Sequence, residues 1–561
     1  MPGTNVIKKG IVTLLLAGVF LCVGGILFDS GLTAEVYDSG LGAVIKKKVT
    51  DWKNPLKIFV GGERIYSSVL VEGFYKRRSY RPAWILNGNP VQADTLMSAI
   101  KEAYGDGLTP DYYHLGLIKS LVNRTERKLS TPAHMADLDI LLTDAFITLG
   151  CHLSGGCVNP VTIESEWFAK RRNVDVSAVL ERAVKNKQVK ETLLRLRPEQ
   201  GSYARLRQAM GQYREQAAKG EWPRVSGGPL LKKGSTSHRV AELRTRLAAS
   251  VDMEADEAKA GDLFDEKLER SVSFFQRRHG IKDDGVVGPV TLNALNVPLK
   301  QRIRQMELNL ERLRWILGNI EERCIVVNIA DFKLSVIENG KAIFSMKVVV
   351  GKPYQRTPVF TAKMTYLVIN PRWNIPESIA REEILDKVKK DPHYLARENI
   401  KVLRGWGARE EEIDPESVNW SRISPSNLAY KFRQEPGPSN PLGSIKFMLP
   451  NKYDVYLHDT ASRRLFSESV RTFSHGCTRI EKPIELGEYL LRDSPGWTRE
   501  RLLDSIGEGT EQRVPIPRPL DVHFLYLTAW VDSGGTVQFR NDIYGRDALL
   551  DEALRKKPSF H

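Results

Sequence analysis

Two short stretches of this chain combine residue types that could carry out acyl transfer. The first is His458-Asp459-Thr460, and the second runs Ser474-His475-Gly476-Cys477-Thr478-Arg479, with Cys477 19 residues after His458. A free thiol is only a few per cent thiolate at neutral pH, so a nucleophilic cysteine needs a base or a cation within hydrogen-bond reach. The intervening loop is long enough to fold back and bring the thiol beside the imidazole. The pattern therefore predicts Cys477 as a nucleophile and His458 as its base.

The neighbours of Cys477 fit the same chemistry. Gly476 has no side chain, so an acyl carbon can approach the sulfur and backbone N–H groups can face a developing oxyanion. Arg479 offers a planar fork for a substrate carboxylate. Taken singly these residues are ordinary, because a lone cysteine in a β domain is usually a small buried side chain. The residues alone indicate acyl transfer through a cysteine and do not name a substrate.

A mainly β domain is predicted to position these residues, over 323–535. Short runs rich in β-branched residues begin after Arg323, and Glu338-Asn339-Gly340 marks a hairpin turn. Tyr456 and His458 fall on one face of a strand because alternate residues share a face. We expect a sandwich-like fold, a charged cap inserted at about 376–441 that limits water access, and a C-terminal tail at 536–561.

The chain before this domain is predicted to be helical. A helical scaffold domain is expected over 35–229, followed by a small three-helix unit over 230–297 after a loop rich in Gly, Ser and Lys. Apolar residues at spacings of three and four then predict one amphipathic helix over 298–318, ended by Gly318. We expect this helix to pack back on the scaffold, with a coiled-coil seam as the alternative. The fold class predicted is multidomain α+β.

The N-terminus predicts export. Lys8 and Lys9 precede 19 uncharged residues, Gly10 to Phe28, which is about the length that spans a bilayer. We expect 1–34 to be a membrane anchor, with a cleaved signal as the alternative, and the positive flank to stay inside. Of the five cysteines, Cys151 and Cys157 are close enough in sequence to bridge. Cys477 is then a thiol without a nearby partner in an exported domain.

The composition limits the classes of ligand and partner that we expect for this protein. The net charge of +15 suits an anionic environment, but no basic stripe indicates nucleic acid. None of the ten histidines forms a short-spaced pair typical of a zinc site, so we expect no metal and no cofactor.

Together, the stretches around His458 and Cys477 resemble the L,D-transpeptidase catalytic domain, also called the YkuD domain. That family's signature is an H-G-T-like triplet, a gap of under twenty residues, and then S-H-G-C-[IVT]-R. The resemblance covers about Cys324 to Tyr526 and includes the upstream "VGKPYQRTPVF". The three-helix unit resembles the peptidoglycan-binding domain type 1 through Gly234, Phe275-Gln276 and Asp284 to Thr291. The order of domains resembles the large, membrane-anchored, scaffold-bearing members of the family.

The resemblance implies roles for individual residues. Cys477 would be the nucleophile, His458 the base, and Asp459 the residue whose main-chain carbonyl orients His458. Backbone N–H groups of Gly476 and Cys477 would form the oxyanion hole. Further residues would bind substrate around the acyl donor, namely Arg479, His475, Ser474 and Tyr456. The family's usual glycine after the first histidine is Asp459 here, so its carboxylate could replace or assist the carbonyl contact.

The resemblance also implies a substrate and a location. The thiolate would attack the bond between residue 3, a diamino acid, and D-alanine at position 4 of a peptidoglycan stem peptide. The acyl group would pass to an amine of another stem, giving 3-3 cross-links, or to a protein, a D-amino acid or water. The partners implied are stem peptides and glycan, the inner membrane and cell-wall synthesis proteins, in the periplasm. Two alternatives are a sortase-like transpeptidase and a non-catalytic wall-binding scaffold.

Overall fold

The computed structural model describes residues 30–51, 58–163, 167, 172, 174–316, 322–405 and 409–556. The predicted anchor segment 10–28 and the predicted helix end at Gly318 lie outside the described residues.

A helical domain with two small hairpins forms the N-terminal part. Its core helix is α5 (Pro132–Gly155), which begins with Thr131 as N-cap and proline at the first helical position. Within the described residues α5 is long and apolar enough to cross a membrane, but 94% of its apolar window is buried inside the fold. The elements of this part are α1 (Ser30–Thr50), β1 (Phe59–Val60), β2 (Glu63–Arg64), α2 (Ser68–Arg77), β3 (Ile85–Leu86), β4 (Asn89–Pro90), α3 (Ala93–Glu102), α4 (Leu115–Glu126), α5, α6 (Pro160–Ile163), α7 (Val176–Lys185), α8 (Val189–Leu194) and α9 (Gly201–Lys219).

A three-helix unit follows, consisting of α10 (His238–Ala249), α11 (Glu266–Arg278) and α12 (Pro289–Leu295) around its own apolar core. The chain then enters α13 (Leu299–Ile316), whose apolar residues pack on α9 as expected from their spacing. The same cluster includes residues of the C-terminal region, such as Phe539. Helix α13 therefore joins the helical domain to the β domain within one chain.

The rest of the chain forms the β domain, its cap and the elements that close it. In chain order these elements are β5 (Arg323–Asn328), β6 (Lys333–Glu338), β7 (Lys341–Gly351), β8 (Thr361–Ile369), β9 (Trp373–Asn374), α14 (Glu377–Ile379), α15 (Leu385–Lys390), α16 (Tyr394–Arg397), β10 (Ile400–Arg404), β11 (Glu411–Ile413), β12 (Lys431–Gln434), β13 (Ile445–Met448), β14 (Leu457–His458), β15 (Thr472–Ser474), β16 (Thr478–Ile480), α17 (Pro483–Leu491), α18 (Arg499–Gly507), β17 (Gln512–Leu525), β18 (Ala529–Val531), β19 (Val537–Phe539) and α19 (Arg546–Arg555).

The main sheet of the β domain has nine strands in the order β15-β7-β16-β14-β13-β8-β17-β5-β6. A further pairing of β6 with β7 joins the two ends, so the sheet closes on itself with β15 attached outside the ring. Opposite walls share one apolar core, as the two layers of a sandwich do. The helical N-terminal region and the mainly β C-terminal domain confirm the predicted fold class.

The cap is a small domain with its own core, inserted between β8 and β13, which pair with each other. The sequence predicted charged helices and loops here, but the cap also contains a four-stranded sheet in the order β11-β10-β12-β9. Its first strand begins at Trp373, slightly before the predicted start at 376. A π-helical turn, Ala380–Ile384, connects α14 to α15.

The predicted C-terminal tail is wrong for its described residues. Strand β19 forms a hairpin with β18, and α19 follows it. Tyr544 and Leu550 are buried in the core of the β domain, and Asp547 pairs with the buried Arg312 of α13. The segment was not recognised because part of its packing depends on residues far away in sequence, such as Arg312.

Candidate active site

Strand pairing brings the two predicted catalytic residues to one face. Strands β14 and β16 run parallel, with Leu457 opposite Thr478 and His458 opposite Arg479. Leu457 is buried in the core of the β domain. His458 and Cys477 therefore project to the opposite, outer face from neighbouring strands. Among the described residues no hydrogen bond joins them, because the thiol points to the Asp454 carbonyl, 3.6 Å from Sγ.

The imidazole of His458, the predicted base, is held in its neutral form. Its Nδ1 lies 2.6 Å from the main-chain carbonyl oxygen of Asp459. A carbonyl can only accept, so Nδ1 carries the proton and Nε2 is the unprotonated nitrogen of the neutral ring. Burial lowers the pKa of His458 to about 3, and the nearby charges of Arg479 and Lys446 add to the effect. The ring is therefore neutral at pH 7 and can accept a proton at Nε2.

The thiol of Cys477 is also neutral in the resting site. Burial raises its pKa above the ordinary value, while hydrogen bonds from the backbone N–H and the hydroxyl of Tyr456 favour the thiolate and lower the pKa. The charge of Lys446 lowers it further. Cys477 and His458 thus form a neutral pair, and proton transfer requires the S–H to turn from Asp454 towards His458.

The side chain of Asp459 has a separate task from its carbonyl. Its Oδ2 accepts the backbone N–H of Ser444 at 2.9 Å, and its Oδ1 pairs with Arg463 at 3.1 Å. Gly443 lies against this carboxylate with φ of +61°, and a Cβ there would collide with Asp459. The carboxylate therefore fixes the start of β13, and the carbonyl contacts His458, which answers the question raised by the missing glycine.

The turn that carries Cys477 is held by Ser474. The buried Ser474 hydroxyl donates to the Cys477 carbonyl at 2.5 Å and accepts the Gly476 N–H at 3.2 Å. Two predictions need correction. The Gly476 N–H is already bonded, which leaves the Cys477 N–H as the oxyanion donor of the predicted pair, and Ser474 holds the turn rather than facing a substrate. Gly476 is still needed, because its φ is +114°.

A second loop supports the same turn. The Thr357 hydroxyl donates to the Gly476 carbonyl at 2.8 Å and accepts the Gly351 N–H at 2.9 Å. The Tyr544 hydroxyl donates to the Gly351 carbonyl at 2.6 Å. Thr357 lies in the "VGKPYQRTPVF" segment noted in the sequence. Tyr544 lies in the predicted tail, and no local signal would have linked it to the site.

The cap contacts the site through the predicted residue His475. Its Nε2 lies 3.0 Å from Glu383 Oε1, and Glu383 lies in the π-helical turn of the cap. Such turns often occur at functional positions. His475 therefore faces the cap from the rim of the site, while Tyr456 and Arg479 lie beside Cys477 and His458.

A cavity of about 850 Å³ lies behind Asp459. Its lining includes Asp459, Thr460 and Arg463, together with Pro436 and Pro438 from the end of the cap. The other predicted site residues do not line it.

Sequence reasoning missed Lys446, Asp454 and Glu383, besides Thr357 and Tyr544. Lys446 had a usable signal, because it interrupts the apolar strand "GSIKFML" opposite the strand of His458. Asp454 contributes a backbone carbonyl at a position with φ of +53°, which a sequence pattern does not reveal.

The fold defines a multidomain protein whose β domain brings a cysteine and a histidine to one face, and comparisons with known proteins name the domains. Residues 69–210 match the family model "Scaffold domain", 236–295 match "Putative peptidoglycan binding domain", and 322–512 match "L,D-transpeptidase catalytic domain". The chain therefore contains an L,D-transpeptidase catalytic domain with a peptidoglycan-binding and a scaffold domain, which confirms the resemblance seen in the sequence.

Three individual proteins are similar to parts of this chain. A curated protein of Haemophilus influenzae named "Putative L,D-transpeptidase" is 35% identical over 250 residues, covering 45% of this chain and 49% of the relative. The chain thus spans about half the length of that relative. Solved L,D-transpeptidases of Xylanimonas cellulosilytica and Stackebrandtia nassauensis are 13% and 14% identical, each covers 54% of this chain, and 99% and 96% of those chains are covered. Their TM-scores of 0.17 and 0.21 are too low to support an argument.

Proposed function

We propose that the protein is a peptidoglycan L,D-transpeptidase that works through a thioester on Cys477. The observation that carries the proposal is the pairing of β14 with β16, which puts the Cys477 thiol and the His458 imidazole on one face. The Nδ1 contact with the Asp459 carbonyl leaves Nε2 as the proton acceptor.

The acylation half-reaction uses the neutral pair. His458 Nε2 takes the thiol proton as sulfur attacks the carbonyl carbon of stem residue 3, and a C–S bond forms. The Cys477 N–H is the backbone donor nearest the developing oxyanion. The C–N bond to residue 4 then breaks, His458 returns the proton to the leaving nitrogen, and D-alanine departs.

The second half-reaction regenerates the thiol. An amine of another stem attacks the thioester carbonyl and loses a proton to His458, the C–S bond breaks, and Cys477 recovers the proton. The product is a 3-3 cross-link. Protein attachment, D-amino acid exchange and L,D-carboxypeptidase activity share the same thioester and differ only in the nucleophile.

The test is direct detection of the acylated residue. The purified full chain is incubated with a disaccharide tetrapeptide or with a carbapenem, and the adduct is located by peptide mass spectrometry. We expect the adduct on Cys477 and no D-alanine release from Cys477→Ala. Full activity in Cys477→Ala, or an adduct elsewhere, would overturn the assignment. Muropeptide analysis of the products then identifies the acceptor.

We also propose that the protein works in the periplasm, held at the inner membrane by the segment 10–28. The support is the sequence of that segment and the presence of domains that act on or bind peptidoglycan. Two measurements on spheroplasts test it. Protease added to intact spheroplasts should digest the protein, because its domains face the periplasm. Without protease, the protein should remain in the membrane fraction, because the N-terminal segment anchors it.

A further inference from the structure

Lys446 is a cation within the active-site face that the catalytic scheme does not use. It lies directly opposite His458 in the pairing of β13 with β14. Its chain neighbours Ile445 and Phe447 are buried in the core of the β domain, so the Lys446 side chain projects to the outer face. Its Nζ lies 3.8 Å from the centre of the Tyr456 ring. The ammonium therefore stands beside the residue that donates to Cys477 sulfur.

No carboxylate balances this ammonium at ion-pair distance within the part of the chain that the structure describes. The groups that act on it electrostatically are Cys477, Glu511 and Asp454, in that order. Glu511 is engaged by Arg372, through the backbone N–H at 2.7 Å and the guanidinium at 3.4 Å. A partly desolvated cation without a counter-ion is unfavourable, and such groups concentrate where a ligand supplies the charge.

Arg479 is a second cation of this kind, on the opposite side of His458. It lies opposite His458 on β16, and its Nε is buried without a hydrogen-bond partner among the described residues. The backbones of β13 and β16 are two strand spacings apart, about 10 Å. Two cations without a balancing carboxylate therefore flank the base, and the face fits a ligand with two carboxylates.

We propose that Lys446 is a specificity-determining residue that binds the terminal carboxylate of the acyl donor's leaving residue, with Arg479 available for a second donor carboxylate. The inference rests on the proposed function. The terminal carboxylate is joined to the carbon that bears the scissile nitrogen, so it is the donor anion nearest the attacked bond. Lys446 is the cation that acts on both Tyr456 and Cys477, next to that bond. The site then selects stems that end at residue 4, because a longer or amidated stem presents a neutral amide there.

The test compares two tetrapeptide donors that differ only at the C-terminus, one with a free carboxylate and one with a carboxamide. Release of D-alanine or D-alaninamide gives kcat/KM for each. We expect the full-length protein to prefer the free acid. Lys446→Met should lower kcat/KM for the acid about 10- to 100-fold more than for the carboxamide, because the loss of charge beside Cys477 affects both donors but only the acid loses a charged hydrogen bond.

Two variants keep the result interpretable. Lys446→Arg retains the charge and should retain the preference for the acid, which a general loss of folding would not allow. Lys333→Met removes an exposed lysine from β6 and should change neither donor. An unchanged acid-to-amide ratio in Lys446→Met, with both donors still turned over, refutes the role of Lys446 and leaves the proposed function standing. Failure of the unmodified protein to release either product refutes both.

Discussion

The hydroxyl of Tyr456 gives a quantitative prediction about the nucleophile. It donates to the Cys477 sulfur alongside the Tyr456 backbone N–H, and both contacts lower the thiol pKa against the larger effect of burial. Tyr456→Phe removes the hydroxyl and keeps the ring. A hydrogen bond to a charged group is worth about 1.5–3 kcal/mol, and about 1.4 kcal/mol corresponds to one pKa unit. We therefore expect the variant to raise the pKa of Cys477 by about one to two units.

The assay is the pH dependence of Cys477 alkylation by iodoacetamide, a neutral reagent, followed by intact mass. Tyr453→Phe is the matched control, because Tyr453 packs on Phe360 at the core of the β domain. The control should keep the midpoint of the unmodified protein. A midpoint in Tyr456→Phe within about 0.3 units of that value would show that the hydroxyl does not stabilise the thiolate.

Three further outcomes follow from the same geometry. His458→Gln should slow acylation of Cys477 by at least about 100-fold. In the unmodified protein, the acylation rate should not fall through protonation of this histidine between pH 8 and pH 4, because its lowered pKa keeps the ring neutral. Stopped-flow measurement of carbapenem acylation tests both expectations. Thr357→Val should lower the free energy of unfolding by about 1–3 kcal/mol in urea titrations, because the buried Gly351 N–H loses its acceptor. Glu383→Gln should raise the share of hydrolysed product in muropeptide analysis, since it weakens the contact between the cap and the active-site turn; an unchanged share would count against a role for the cap in excluding water.

The features that could be predicted from the sequence are those that depend on a single helix or strand. Alternation placed Tyr456 and His458 on one face, and the helical spacing of Leu299 to Leu313 placed an apolar stripe on α13. Each depends only on the geometry of a single element. The order of chemistry-bearing residues, His458 before Cys477, also depends on the chain alone.

Contacts between distant segments were not predictable. The Gly476 N–H was assigned to the oxyanion because glycine leaves it accessible, but the fold of the turn gives it to Ser474. Tyr544 supports the Gly351 loop from more than 190 residues away. Closure of the sheet requires β6 to pair with β7 while β17 pairs with β5, and a list of short β runs does not determine that order.

Burial is the main cause of the low pKa of His458, and the two flanking cations, Arg479 and Lys446, lower it further. Both cations lack a balancing carboxylate in the described part of the chain. A donor that places carboxylates on them cancels part of this effect, so its binding raises the basicity of His458 and favours transfer of the thiol proton. In the proposed mechanism the resting pair stays neutral, and the proton moves once the anionic donor is in place. On this reasoning Lys446→Met should raise the His458 pKa in the free protein while impairing turnover of the acid donor. Titration of His458 by NMR measures this pKa. If the pKa does not rise in Lys446→Met, the electrostatic effect of Lys446 on His458 is refuted, and only its role in binding the donor remains.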